Sequence, residues 1–349
     1  MKSSLLESPK TDPTLLFEHF RGSYGTELLT AAIAHLQVFQ RIGSDGIEAD
    51  ELRRAIQLDE RPFVVLTCAL KAMGLLQQQG ALLQLTEVAK DHLLPGRPGD
   101  VSDYIGLAAQ SPGVIEMVER LRTNRPANAE AKDGGAAFIY RDGLESAMEQ
   151  EATARHFTLA LAGRAKNVAP VLADKLPLPD ARRVLDVAGG TGIYSIALLQ
   201  RNPSLTAVVF DRPEVLKITR EFAEQYGVAD RLECQPGDMF VDPLPTDCDV
   251  ILLSNVLHDW DVPQCQQLVA RCADVLPAGG KLWIHDVFLS DDLAGPLPIA
   301  LYSAALFTLT EGRAYSAAEY RGWLSAAGLS PGPLTPTLIH CGVLEAVKA

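Results

Sequence analysis

The chain reads as an α/β protein: a doubly wound parallel sheet in its second half, preceded by an all-helical, winged-helix-like domain. Three observations predict this. From residue 183 onward, strand-like apolar runs alternate with amphipathic helical stretches, the pattern of parallel strands joined by crossover helices. The first of those strands, Arg183-Val184-Leu185-Asp186-Val187, runs straight into the glycine-rich turn Ala188-Gly189-Gly190-Thr191-Gly192. Before residue 100 the order is instead three helical patterns and a small hairpin, the order of a winged helix.

In the first half, apolar residues recur at helical spacing from Leu15 to Ile42 (Leu28, Leu29, Ala32, Ile33, Leu36, Phe39) and stop before Gly43 and Gly46. Short helices are expected over Glu48–Ile56 and Phe63–Met73, the second with Pro62 in its first turn, where a missing N–H is tolerated. Leu75–Leu85 reads as two short strands about Gly80, and a helix follows from Thr86. A winged helix raises DNA binding, but charge opposes it. Residues 1–100 hold ten Lys or Arg against thirteen Asp or Glu, and the would-be recognition helix Pro62–Gly74 carries only Lys71 as a base. Helices this apolar need burial, which makes residues 1–98 a dimerisation module and the chain a homodimer.

Pro95 and Pro98 mark a joint. Ser102–Arg122 looks helical, Pro126–Gly135 looks like a loop, and Leu144–Leu172 carries a longer helical pattern. The expected middle segment, 99–178, is a helical linker, with Met148, Phe157 and Leu161 lining a substrate pocket together with Phe307 further on.

The remaining segment, 179–349, is expected to bind the ligand. Gly189, Gly190 and Gly192 permit positive φ and close approach of a ligand to backbone, and the helix Ile193–Arg201 aims its N-terminus at the turn. The next strand, Ala207–Phe210, ends in Asp211, and a helix follows from Pro213 to Tyr226. Arg231–Gln235 is a short strand before Pro236-Gly237-Asp238-Met239-Phe240. Asp249–Leu253 is an apolar strand ending in Ser254-Asn255, with a helix over Val262–Leu276 after it. Lys281–His285 is a fifth strand, Ser316 and Glu319 form a capping box for a helix ending at Gly328, and Leu338–Val347 closes the sheet.

Bulk properties narrow the classes. Hydrophobic content of 47% with 21% charged residues fits a globular chain rather than a disordered one. A net charge of −13 disfavours nonspecific attraction to nucleic acid or an anionic membrane. Met1–Lys10 lacks the apolar stretch of a secretory signal, and the longest apolar run, Leu297–Leu309, falls short of the ~20 residues a spanning helix needs. The six cysteines form no C-x-x-C pair, so reduced thiols in a cytoplasm are expected, without zinc or any other metal.

Asp211, some nineteen residues past the turn, is placed to grip ribose hydroxyls. A nicotinamide dinucleotide fits less well: the register of G-x-G-x-x-G puts Ser195 at the third glycine, and Asp186 would repel a pyrophosphate. No G-K-[ST] is present for a nucleoside triphosphate. A zwitterionic, cationic ligand suits Asp186 better.

With Gly237-Asp238-Met239-Phe240 and Leu257-His258-Asp259-Trp260-Asp261, these features resemble the S-adenosylmethionine-dependent small-molecule O-methyltransferases, the group of plant caffeate and flavonoid enzymes, acetylserotonin methyltransferase and bacterial natural-product enzymes. The resemblance spans essentially the whole chain. It implies a Rossmann-like methyltransferase domain in which Asp186 and Gly189–Gly192 hold the methionine end of S-adenosylmethionine and Asp211, with Arg212 beside it, the ribose. It further implies Asp238, Met239, Phe240 and Trp260 around the adenine, and Ser254 and Asn255 on the cofactor side of the fourth strand. His258 is the implied base, taking a proton from a phenolic hydroxyl before in-line methyl transfer.

Several positions depart from the plant pattern. The two acids that flank the histidine there correspond to Asp286, one methylene shorter, and to Ala314, which is no acid; Glu311 is the candidate substitute. Ser254 replaces a lysine, and Ala188 stands at the first glycine of the turn, tolerable only with a negative φ. The missing acid leaves open a family member that hydroxylates or decarboxylates instead. A winged-helix ligand-sensing regulator and a nicotinamide oxidoreductase are the rivals from other classes.

Overall fold

The computed structural model describes residues 3–125, 151–176, 178 and 181–349. Two compact units interleave along the chain: Met1–Leu16, Ala137–Phe288 and Ala317–Ala349 form one, and Phe17–Ala136 with Leu289–Ser316 form the other. Residues 289–316 thus fold with the helical unit, although they lie inside the stretch expected to form the ligand-binding domain.

The helical unit begins within α1 (Thr14–Arg21) and continues through α2 (Ser23–Thr30), a π-turn over Ala31–His35 and α3 (Val38–Ile42). The unbroken helical pattern expected from Leu15 to Ile42 is therefore interrupted, at the π-turn and at Gln37, whose φ is +54°. Next come β1 (Ile47–Glu48), α4 (Ala49–Ala55), α5 (Glu60–Ala72), β2 (Leu76–Gln79), β3 (Leu82–Leu85) and α6 (Glu87–His92). The three strands pair antiparallel in the order β1-β3-β2. α7 (Ser102–Gly106) and α8 (Pro112–Thr123) replace the single helix expected over Ser102–Arg122, because Pro112 opens a new first turn. Leu28, Leu66, Leu70 and Met117 are fully buried at the centre of this unit, in one cluster with Ala304 and Phe307.

The sheet unit contains α9 (Glu151–Lys175), β4 (Arg183–Val187), α10 (Ile193–Arg201), β5 (Thr206–Asp211), α11 (Pro213–Gln225), β6 (Leu232–Pro236), β7 (Val250–Ser254), α12 (Val262–Val275) and β8 (Lys281–Leu289). α13 (Leu297–Leu309) belongs to the helical unit, where it packs on α5. β9 (Tyr315–Ser316), α14 (Ala317–Ala326), β10 (Leu329–Pro336) and β11 (Cys341–Lys348) complete the chain.

The sheet runs β10-β11-β8-β7-β4-β5-β6. β4 to β8 are parallel, as alternating strands and helices require. β11 returns antiparallel to β8, and β10 pairs antiparallel with β11 at the edge. β10, which holds Pro331, Pro333 and Pro336, was not among the strands expected from the sequence; an edge strand tolerates prolines that a central one cannot. Strand order reverses between β4 and β7, so a crevice opens beyond the carboxyl ends of those two strands. The glycine turn leaves β4 there, and Ser254-Asn255 leaves β7. α9 covers one face against α10 and α11, where Arg155 makes two 2.9 Å hydrogen bonds to Glu221. Among the described residues no helix is long and apolar enough to cross a membrane, and none of the six cysteines forms a disulfide.

Candidate active site

The glycine turn folds by a different constraint at each position. Ala188 has φ +54°, which overturns the expectation of a negative angle. Its N–H donates to the Phe210 carbonyl at 2.8 Å, so the bend from β4 toward β5 sets the left-handed conformation. An L-residue adopts it at a cost of about 1–2 kcal/mol. Gly189 faces the Asp186 carboxyl, where a Cβ would come within 2.6 Å of Cγ. Gly190 (φ +60°) has an open face, with nothing within 4 Å of an added Cβ. Gly192 (φ +70°) precedes α10. The Thr219 hydroxyl on α11 donates to the Gly190 carbonyl at 2.6 Å and pins the turn from behind.

Asp211 at the end of β5 accepts from the Gly190 N–H (2.8 Å) and from the Arg212 N–H (2.7 Å). Burial pushes its carboxyl up to about 6, against the pull of those N–H groups. Asp186 is fully buried; its Oδ2 accepts from the Ser195 hydroxyl at 2.7 Å. Burial raises its pKa to about 7, the Ser195 bond opposes that, and the Asp211 charge adds to it. Asp186 Oδ1 is buried with no hydrogen-bond partner, an expensive state for an acid beneath a ligand turn. An open glycine face, an unsatisfied buried carboxylate oxygen and a second acid at the next strand end fit a cationic amino acid joined to a nucleoside. They do not suit a pyrophosphate.

Gly237 is required by packing, since a Cβ there would lie 2.3 Å from Phe210 Cζ. Asp238 shapes the turn that follows: Oδ1 accepts from the Phe240 N–H at 2.8 Å, and its own N–H donates to Asp242 Oδ2 at 2.8 Å. Its Oδ2 lies 3.5 Å from the Arg212 guanidinium. The structure thus brings Arg212 and Asp238 together and gives Asp238 a turn-forming role. Arg271 donates to the Met239 carbonyl at 2.9 Å, and Met239 is half-buried. Phe240 and Trp260 pack edge to face with centroids 5.0 Å apart.

His258 lies in a 3-10 turn, Leu257–Asp259, between β7 and the Asp261 N-cap of α12. Its Nδ1 is 2.5 Å from Asp286 Oδ1, so the shortened acid still reaches the imidazole. Asp286 Oδ1 also accepts from the Val287 N–H at 2.8 Å, and Oδ2 from the Tyr320 hydroxyl at 3.1 Å. Burial works against charge on both groups, yet the pair outweighs it. Asp286 is held below its ordinary 3.8 by His258 and these hydrogen bonds, and His258 is raised above 6.5 by Asp286 and Asp259. Asp259 Oδ1 stands 3.6 Å from His258 Nε2, beyond hydrogen-bond length, and burial raises that acid to about 6. With Nδ1 against Asp286, Nε2 is the other ring nitrogen, on the side of Asp259.

Sequence reasoning missed three participants. Tyr320 on α14 completes the support of Asp286, and its ring packs edge to face on Phe288 and Trp323. His285 is fully buried beside Ser254, whose Oγ is 2.8 Å from its Nδ1; burial takes its pKa down to about 3, which keeps the ring neutral. Arg164 on α9 donates to Asn255 Oδ1 at 2.6 Å. No motif marks these side chains, since each is brought in by tertiary packing from a distant element. Ser254 is thus committed to His285, and Asn255 to Arg164.

Glu311, Ala314 and Phe307 belong to the helical unit. Phe307 is 1% exposed in its core, with the Arg61 guanidinium 4.8 Å from the ring centroid. The same guanidinium donates to the carbonyls of Thr310 (2.8 Å) and Gly312 (3.3 Å), on either side of Glu311. Leu161 sits on α9 and is largely exposed; Met148 and the side chain of Phe157 lie outside the described residues. Among the described residues no cluster of His, Cys, Asp or Glu suits a metal ion.

Comparison with known proteins accounts for this arrangement. The O-methyltransferase domain family matches residues 131–330. A 3-hydroxy-5-methyl-1-naphthoate 3-O-methyltransferase of Streptomyces sahachiroi is 34% identical over 320 residues, covering 91% of this chain and 90% of that protein. An acetylserotonin O-methyltransferase of Bos taurus is 31% identical over 334 residues, covering 90% and 92%. Among solved structures, an O-methyltransferase family 2 protein from Planctomyces limnophilus, in complex with apigenin, is 48% identical with a TM-score of 0.89 over 100% of this chain and 99% of that one. The chain therefore belongs to the O-methyltransferase family, as an S-adenosylmethionine-dependent enzyme of the small-molecule type.

Proposed function

We propose that the enzyme methylates a phenolic hydroxyl of a small aromatic metabolite, with His258 as the general base. When bound, S-adenosylmethionine supplies a methyl group activated on a sulfonium sulfur. In this reading Asp186 and Gly189–Gly192 receive its methionine end and Asp211 and Arg212 its ribose. Asp238, Met239, Phe240 and Trp260 surround the base, and Ser254 and Asn255 complete the wall from β7. His258 takes the hydroxyl proton on Nε2, and the exposed oxygen is the nucleophile toward the methyl carbon. Asp286 holds the ring tautomer and balances the imidazolium, with Tyr320 fixing its second oxygen. Glu311 is the further acid proposed to assist, and Met148, Phe157, Leu161 and Phe307 the residues proposed to shape the acceptor's site. No covalent enzyme intermediate is needed, so positioning carries most of the acceleration.

The observation that carries the reading is the 2.5 Å contact of buried His258 Nδ1 with Asp286, which leaves Nε2 as the nitrogen not engaged by Asp286. The hydroxynaphthoate relative and the apigenin complex support a phenolic acceptor. A cytoplasmic location goes with the absence of disulfides among the six cysteines. Incubation with methyl-labelled S-adenosylmethionine and a panel of phenols, apigenin and hydroxynaphthoates included, tests the proposal. Transfer to oxygen is expected, abolished by His258→Ala while calorimetry still registers cofactor binding. Undiminished transfer by His258→Ala would refute the assignment of the base.

A further inference from the structure

His258 comes from the turn after β7 and Asp286 from β8, and a third element spans both. Arg164, on α9, donates from one terminal nitrogen to Asn255 Oδ1 (2.6 Å) and from the other to Cys341 Sγ (2.9 Å). Asn255 is the last residue before the segment Val256–Trp260 that carries His258. Cys341 opens β11, where it pairs with Val287, and its neighbour Gly342 pairs with Asp286. The guanidinium therefore bridges the exit of β7 to the strand lying against Asp286.

Asn255 is held unusually firmly for a residue that ends a strand. Its φ is +56°, its N–H donates to the His285 carbonyl at 2.8 Å, and its Nδ2 donates to Ser254 Oγ (3.2 Å) and the Tyr194 hydroxyl (3.4 Å). Asparagine tolerates this left-handed conformation better than most residues, and strain of this kind persists only where surroundings over-determine it. The Arg164 bond to Oδ1 and the Tyr194 hydroxyl of α10 are the contacts that reach Asn255 from outside the sheet, and Arg164 is the charged one.

We propose that Arg164 is a positioning residue for methyl transfer: its guanidinium locks the His258 segment in register with Asp286 and keeps a positive charge near the imidazole. The proposal rests on His258 being the base. A planar, two-pronged donor suits the bridge, which an ammonium cannot span at both ends. The charges facing His258 are Asp286 and neutral His285 from β8, Asp259 from its own turn and Arg164 from α9, with Tyr320 of α14 acting through Asp286. Both carboxylates favour the protonated ring, and Arg164 opposes them on His258 as it does on His285. A base must be neutral to act, so this opposition favours the reactive form.

The test separates geometry from charge with Arg164→Lys and Arg164→Gln in the full-length enzyme, alongside wild type and His258→Ala. The readouts are the melting temperature, kcat and cofactor KM across pH, and the NMR titration of the His258 ring, which needs neither turnover nor cofactor. Both variants are expected to fold and to lose tenfold or more in kcat at unchanged cofactor KM, since small misplacements are expensive. In Arg164→Gln the His258 titration and the acid limb of kcat are expected to move to higher pH; in Arg164→Lys they stay near wild type. Three results would overturn the proposal: kcat retained in both folded variants, a raised cofactor KM at unchanged kcat, or an unmoved titration in Arg164→Gln. If His258→Ala stays fully active, the base assignment fails separately, while the ring titration still reports on Arg164.

Discussion

His258 owes its character to Asp286 and Asp259, which raise its affinity for a proton although burial alone would lower it. A base with a raised pKa is neutral only above it, so the acid limb of kcat/KM is expected above the ordinary imidazole value of 6.5. In Asp286→Asn the principal anion is gone, so that limb is expected at lower pH, with kcat reduced on the order of 10²-fold through loss of ring orientation. A pH–rate profile of the two proteins checks both. Asp186 makes the opposite bargain. Its folded pKa, about 7, lies above its ordinary 3.8, so the apo protein loses stability as pH rises between those values. Asp186→Asn is expected to stabilise the apo enzyme at pH 8 by about 1–3 kcal/mol, with little gain near pH 4, and to weaken cofactor binding. Urea melts at the two pH values and calorimetry would show it; a destabilised apo variant at pH 8 would contradict the account.

At the scale of elements, the turn after β4 and the loop after β6 are built around one ring. Phe210, on β5, receives the Ala188 N–H on its carbonyl and places its ring where a Gly237 Cβ would stand. Gly237→Ala must displace that ring or the loop bearing Asp238 and Met239. Overpacking of this kind is expected to destabilise by about 1–3 kcal/mol and to raise cofactor KM, measurable by thermal melting and steady-state kinetics. The missed and broken elements have equally local reasons. β10 hides behind its prolines because it sits at a sheet edge, and α13 shows no amphipathic stripe because it is apolar all round and buried. Periodicity speaks only for elements with one wet face.

For the whole molecule, interleaving means that neither unit is a continuous piece of chain: residues 289–316 leave the sheet unit after β8 and return before α14. Truncation near residue 98 therefore removes the partners of α13 and would strand a helix as apolar as Leu297–Leu309. Phe20 and Leu107 of the helical unit are each 81% exposed, and the proposed homodimer rests on the apolar character of that unit's helices. Light scattering is expected to give twice the 37.7 kDa of the chain; a stable monomer at micromolar concentration would reject the dimer.

Read by itself, the sequence determined the parallel α/β class, the glycine turn, the acids that end successive strands and the histidine beyond β7, because all of these are local: strand hydrophobicity, turn chemistry and a short spacing. It also carried the family, through motifs in order. Only the tertiary structure decided what those residues do to one another. The positive φ of Ala188 follows from a carbonyl on the next strand, the reach of Asp286 to His258 from parallel strands placed side by side, and the bracing by Tyr320 and Arg164 from helices 34 and 91 positions away from their partners. The glycine turn is legible because it is local; the charge and position of His258 are set by long-range packing, which leaves no periodic trace in the chain.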